Sequence, residues 1–140
     1  MVLSLAEVSD RLEIQQLLVD YSTAIDGRRF DDLDRIFTPD AYIDYRAMGG
    51  IDGVYPDVKA WLAEVLPGFP AFYHLIGNFD IRLDGDRASG RTMCFNPHET
   101  ERRGIIGWPD HVLRALVRRR VRPHARRLAD DAAGGDQMHG

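Results

Sequence analysis

The sequence predicts an α+β fold in which helices pack on one face of a curved antiparallel sheet. Helical spacing of apolar residues dominates positions 5–37, strand alternation dominates 72–96, and the turn Asp84-Gly85-Asp86 joins two long strand-like runs. Helices followed by strands, rather than alternating with them, segregate to one side of an antiparallel sheet.

Ser4-Leu5-Ala6-Glu7 matches a capping box, in which a serine side chain and a glutamate three residues on satisfy free helix N–H groups. Val8, Leu12, Leu17, Leu18, Tyr21 and Ile25 then recur near helical spacing, and Gly27 supplies a stop. Phe30, Leu33, Ile36 and Phe37 form the apolar side of a short second helix, started by Asp31 or Asp32 and ended before Pro39. Ala41 to Tyr45 reads as a short strand, and Gly49, Gly50 and Gly53 as a loop. Pro56 opens a third helix with Val58, Trp61, Leu62 and Val65 on its buried side. The strand Phe72–Leu83 follows, then the turn, then a strand from Arg87 to Asn96 with Thr92, Cys94 and Asn96 on one face.

Composition narrows the function. The 140 residues suffice for a real core. No 18-residue apolar run is present to span a membrane, and the N-terminus lacks the basic and apolar regions of a secretory signal. The lone Cys94 cannot form an internal disulfide, which fits a reducing cytoplasm. No Cys/His cluster suggests a metal site and no glycine-rich loop suggests a phosphate cofactor, so the chemistry is read as cofactor-free. Charge is uneven. Residues 1–100 carry 9 basic and 17 acidic side chains, residues 101–140 carry 9 and 5, and 12 of the 13 aromatics lie in the first part. The chain therefore divides into a domain, 1–100, and a basic, atypical tail, 101–140.

The run Phe72 to Leu83 is the most informative. Alternation puts Tyr73, Leu75, Phe79, Ile81 and Leu83 on one face and His74, Ile76 and Asn78 on the other. An imidazole and an amide flanking an isoleucine suit the wall of an apolar hollow.

The segments Tyr21-Ser-Thr-Ala-Ile-Asp26-Gly27, Phe37-Thr-Pro-Asp-Ala41 and His74-Leu-Ile-Gly-Asn78 together resemble the SnoaL-like branch of the nuclear transport factor 2 superfamily, over roughly residues 5–97. That branch includes scytalone dehydratase, bile acid dehydratase, a lindane dehydrochlorinase and ketosteroid isomerase. The resemblance implies a cone: a curved sheet wrapped around the N-terminal helices, enclosing a deep apolar pocket. It also implies that Asp26, ending the first helix, pairs with His74. Cones of this type commonly dimerise through the sheet, although no residue of this sequence marks a dimer surface.

Each candidate has a plainer reading. Asp26 sits at a helix C-terminus, where the dipole disfavours negative charge, so it either orients His74 or is a surface aspartate neutralised by Arg28 or Arg29. His74 is a general base or a half-buried histidine with one hydrogen bond. Asn78 donates to a substrate oxygen or caps an irregular stretch beside Gly77. Tyr21 donates to a developing oxyanion or is a core aromatic. Tyr42 and Asp44 share one strand face, Ile43 and Tyr45 the other. By resemblance a tyrosine of this strand polarises the substrate carbonyl, and Tyr45 is favoured over Tyr42. Ile76, Trp61, Asn96, Tyr42 and Asp44 complete the expected pocket lining. Cys94 reads as packing.

The tail departs from the family. Two or three closing strands are expected after Pro97, and residues 101–140 do not supply them in an obvious form. GC-rich codons for Val121 to Asp130, displaced by one nucleotide, can encode V-R-T-P-D-G-W-R-M, and Val117 to Arg120 permit Y-V-D-E. The combined string resembles the family's closing hairpin, so the tail reads as frameshifted from a point between His98 and Gly107. The competing reading is a native basic helix from Pro109 to Val121, with Val112, Leu113, Leu116 and Val117 as its stripe. Nucleic-acid binding by such a helix is poorly supported, because Trp108 is the tail's only aromatic.

The function expected is a cofactor-free lyase or isomerase acting on a small apolar molecule, cyclic, steroid-like or polyketide-like. The alternatives are a non-catalytic binding or assembly module, or an inactive truncated copy.

Overall fold

The computed structural model describes residues 2–99 with their side chains and, as backbone, residues 100, 104–106, 111–119 and 126–128. Helix α1 spans Leu5–Asp26. Its start is the capping box: the Glu7 N–H donates to the Ser4 hydroxyl at 3.1 Å, and the Ser4 N–H donates to the Glu7 carboxylate at 3.3 Å. The buried stripe begins at Ile14 and continues through Leu17, Leu18, Tyr21 and Ile25. Val8 and Leu12, expected on it, are exposed, because the first turns of α1 run past the core.

The second helical segment is a 3-10 turn, Phe30–Arg35, which buries Leu33 completely. It starts after Arg29 rather than at an aspartate. Strand β1, Tyr42–Asp44, pairs antiparallel with β2, Asp52–Val54. The glycine-marked stretch is therefore partly strand. Helix α2, Tyr55–Val65, carries Pro56 in its first turn and buries Val58 and Leu62. Full burial of Leu33 or Val58 is worth about 1.5–3 kcal/mol each.

The main sheet begins with β3, Leu75–Asp84, and β4, Arg87–Phe95, joined by a turn with Gly85 at φ 55°. Short strands β5, His98–Thr100, and β6, Gly104–Ile106, pair with each other. Strands β7, His111–Arg119, and β8, Arg126–Leu128, return to the main sheet, whose order is β3-β4-β7-β8, antiparallel throughout. Helix α1 lies against β3 and β8, giving the α+β arrangement of helices on a curved sheet.

Two expectations are corrected here. Residues 111–119 form a strand in register with β4, Thr92 opposite Leu113, so the basic helix from Pro109 to Val121 does not form. Closing strands expected to be missing are present as β7 and β8. Pro109, Trp108 and residues 120–125 lie outside the described residues.

Strand β3 does not keep one phase. The pairing Gly77↔Met93 is followed by Asp80↔Arg91, so Asn78 and Phe79 together stand opposite the single residue Thr92, a bulge with one extra residue. Asn78 takes φ 53° and is exposed. The Thr92 hydroxyl pins the bulge by donating to the Gly77 carbonyl at 2.7 Å. The bulge explains why Leu75 is 66% exposed while Ile81 is buried, although simple alternation puts them on one face.

Candidate active site

Helix α1 delivers Tyr21 and Asp26 toward the sheet. His74, one residue before β3, meets Asp26 across 48 positions of sequence. The His74 Nδ1 and an Asp26 carboxylate oxygen are 2.6 Å apart, and the His74 backbone N–H donates to the other oxygen at 2.9 Å. Both oxygens are thus engaged by one residue, which fixes the carboxylate plane and the ring together. The arrangement places the ring proton on Nδ1 and leaves Nε2 as the free lone pair. The His74 side chain is 7% exposed and that of Asp26 26%. Arg28 and Arg29 go elsewhere, Arg29 to Asp32 at 2.9 Å and Arg28 to main-chain carbonyls, so the described contacts of Asp26 are to His74 and not to either arginine.

Beside the pair lies a second one. The Tyr21 and Tyr45 hydroxyls are 2.6 Å apart and both residues are buried. Burial pushes the Tyr45 phenol up to about 12, against a smaller opposing effect of its hydrogen bond with Tyr21. Burial also holds the Tyr21 phenol well above its ordinary value, with Tyr45 adding to the shift. Both phenols therefore remain protonated donors at neutral pH. One proton closes the bond between them, which leaves the other to offer. Tyr21 stands edge-on to the His74 ring, centroids 6.0 Å apart, and edge-on to Phe37 at 5.9 Å. Trp61 stacks on Tyr45 at 6.1 Å, so it supports the phenol pair.

The sheet contributes Cys94, opposite Ile76, and Asn96. Leu75↔Phe95 and the bridge Phe72↔His98 share one register, which sets Asn96 opposite His74. Directly opposed residues have Cβ atoms about 4.5–5.5 Å apart. Asn96 is buried, and its Oδ1 accepts no hydrogen bond among the described residues. Burial, then the charge of Asp26, push the Cys94 thiol up to about 11, which makes it an inert neighbour rather than a nucleophile. Among the described residues no group of three His, Cys, Asp or Glu side chains could hold a metal ion.

Three of the expected lining residues lie elsewhere. Tyr42 donates to Asp52, and Asp44 takes a two-pronged salt bridge from Arg46 at 2.8–3.0 Å, both on the face of β1 opposite Tyr45. The hydrogen bonds from Arg46 hold the Asp44 carboxyl below its ordinary range. Asn78 belongs to the bulge, where its short polar side chain makes positive φ tolerable.

Arg28 was not singled out as a functional residue by its sequence context. Its N–H donates to the Ile25 carbonyl at 3.0 Å and that of Arg29 to Ala24 at 2.9 Å, the paired bonds of a Schellman helix end. Arg28 takes φ 55° there, which costs a non-glycine residue about 1–2 kcal/mol.

Residues 6–123 match the SnoaL-like domain. The chain belongs to that family. The SnoaL-like chain is 72% identical over 96 residues to the uncharacterized protein Rv2910c of Mycobacterium tuberculosis, and to a counterpart in Mycobacterium bovis. The match covers 69% of this chain and spans 65% of the length of those relatives. Among solved structures, Kfla4162 of Kribbella flavida superimposes with a TM-score of 0.73 at 22% identity, covering 86% of each chain. A hexachlorocyclohexane dehydrochlorinase, LinA-type3 of Novosphingobium barchaimii, gives 0.73 at 20% identity, covering 87% of this chain and 83% of that one. These likenesses show the fold alone, helices packed on a curved antiparallel sheet. Among the described residues no helix is long and apolar enough to cross a membrane.

Proposed function

We propose that this SnoaL-like chain is a cofactor-free, cytoplasmic lyase or isomerase acting on a small apolar hydroxy-ketone, cyclic and steroid- or polyketide-like. The observation that carries the reading is the double engagement of Asp26 by His74, at 2.6 and 2.9 Å, with the ring almost closed off from water. A base held in one tautomer and one orientation is ready for proton transfer from carbon. His74 Nε2 takes the proton next to the carbonyl, and Asp26 stabilises the charge that forms on the ring. The electron pair moves onto the carbonyl oxygen, which receives the free proton of the Tyr21–Tyr45 pair as a hydrogen bond. Expulsion of a β-hydroxyl, protonated by His74, completes a dehydration. Return of the proton at the γ-carbon of an enone completes an isomerisation. Asn96, beside His74 with a free acceptor, holds a hydroxyl of the substrate, and Ile76 supplies apolar contact. The family, and a dehydrochlorinase among the fold's neighbours, support an eliminating enzyme.

The test is turnover of a panel of cyclic hydroxy-ketones by the parent, Asp26→Asn and His74→Ala proteins. A loss of roughly 100-fold or more in kcat is expected for each variant. Activity within a few-fold of the parent in both removes the proposal.

One observation favours a second reading, a binding or assembly module that includes a homodimer. Leu75 is 66% exposed and its cross-strand partner Phe95 42%, beside Tyr73 at 57%. Adjacent exposed apolar side chains mark contact surfaces. Sedimentation of the parent and Leu75→Lys proteins tests the patch, since a dimer on it dissociates in the variant, and a ligand-induced melting shift without turnover marks the binding module.

A further inference from the structure

Arg28 occupies the C′ position of the α1 Schellman end, where glycine is the usual residue. Glycine is next door, at Gly27, where φ is −80° and the freedom of glycine is not used. The chain thus keeps a long cationic side chain at a strained backbone position two residues from Asp26. Strain of this kind persists where the surroundings over-determine it, and it clusters at functional sites.

The guanidinium shows what the position is for. Its Nη2 donates to the Phe69 carbonyl at 2.7 Å and lies 3.4 Å from that of Pro70. The same group stands over the Phe72 ring, 5.1 Å from the centroid. Phe72 in turn stacks on buried His98 at 5.5 Å, and the loop is tied to the sheet by the Glu99 N–H on the Ala71 carbonyl at 2.7 Å. The segment 69–73 so held is the lead-in to His74. Besides Arg28, the last turns of α1 meet the end of this lead-in through the Asp26–His74 pair and the edge-on Tyr21 and His74 rings.

Resting on the proposed proton transfer, we infer that Arg28 is the positioning residue of that base: it latches the lead-in to the end of α1, so that the His74 ring and N–H both reach Asp26. It touches no reacting atom. One nitrogen, Nη2, meets both carbonyls while the planar guanidinium lies over the Phe72 ring, a combination that a compact ammonium group does not reproduce.

The experiment uses the full chain with labelled histidine, and reads the His74 Nδ1 proton by NMR, assigned by its loss in His74→Gln. In Arg28→Gly the backbone strain is relieved, so the melting temperature holds or rises, while the Nδ1 proton line broadens or moves upfield. On any turned-over ketone kcat falls about 10- to 100-fold, the scale of a misplaced catalytic group, with KM within about twofold. Arg28→Lys, which keeps the charge and one donor, recovers part of both. A shifted line in a protein that turns over no ketone leaves the latch standing and sinks the proposed reaction. An unchanged line in Arg28→Gly overturns the latch. So does a line lost only together with a lower melting temperature in both variants, which is what a merely structural arginine gives.

Discussion

At the scale of single residues, the site is a set of groups held in one protonation state by burial. Tyr45 is raised from an ordinary 10.0 to about 12 and Cys94 from 9.0 to about 11, and Tyr21 is raised as well. A raised acid is neutral in the fold and ionises more readily once unfolded. Its contribution is therefore whole below the unfolded value and is lost as pH climbs to the folded one. The melting temperature should hold with respect to these groups below pH 9 and decline from about pH 9 to 12. Tyr45→Phe should flatten the upper part of that decline. A slope unchanged in Tyr45→Phe would mean that the phenol pair is not buried as described. The same desolvation keeps the pair a hydrogen-bond donor throughout the neutral range, which is the state an oxyanion needs.

Among the elements, two local devices aim the site, and each can be tested by one substitution. Gly50 lets Tyr45 and Trp61 come together: a Cβ there would sit 2.7 Å from the Trp61 ring and 2.8 Å from the Tyr45 Cβ. Gly50→Ala should cost about 1–3 kcal/mol in chemical denaturation and lower kcat, because the Tyr45 hydroxyl must shift. A variant as stable and active as the parent would show that this packing is slack. The β3 bulge is the other device. Asn78→Ala should cost about 1 kcal/mol with kcat unchanged, since the residue serves the backbone. A large kcat loss at full stability would return Asn78 to the substrate. These elements also show what was legible in the sequence. The capping box, Pro56 at the start of α2 and the Asp84-Gly85-Asp86 turn are local signals, and local physics placed them. The bulge was not legible, because strand alternation carries no mark of a single inserted residue, and it reversed the phase between Leu75 and Ile81. Tyr42 and Asp44 sat on the right strand and the wrong face, since an exposed Asp–Arg pair looks in sequence like any polar lining. The nearness of Asp26 to His74 was expected from family resemblance, as residues 48 apart leave no local trace.

For the whole molecule, the chain beyond residue 100 stands apart from the rest in composition. The high-identity match to the mycobacterial relatives covers 96 of the 140 residues and 65% of their length, so both chains continue outside it. The basic composition of 101–140 contrasts with the acidic remainder. We propose that this tail is displaced in reading frame from a point between His98 and Gly107. Strands β7 and β8 complete the main sheet, so a tail better matched to them should raise the melting temperature of the frame-corrected protein by several degrees. Stop codons in the displaced frame, or a frame-corrected protein no more stable than the parent, would contradict the displacement.

The proton-transfer account meets its most direct test in deuterium oxide, where exchange at the carbon next to a carbonyl is followed by NMR in bound cyclic hydroxy-ketones. The parent should exchange that hydrogen without any cofactor, and His74→Ala and Asp26→Asn should slow the exchange by roughly 100-fold or more while still binding the ketone. Equal exchange rates in all three proteins would contradict the assignment of His74 as the base and Asp26 as its support.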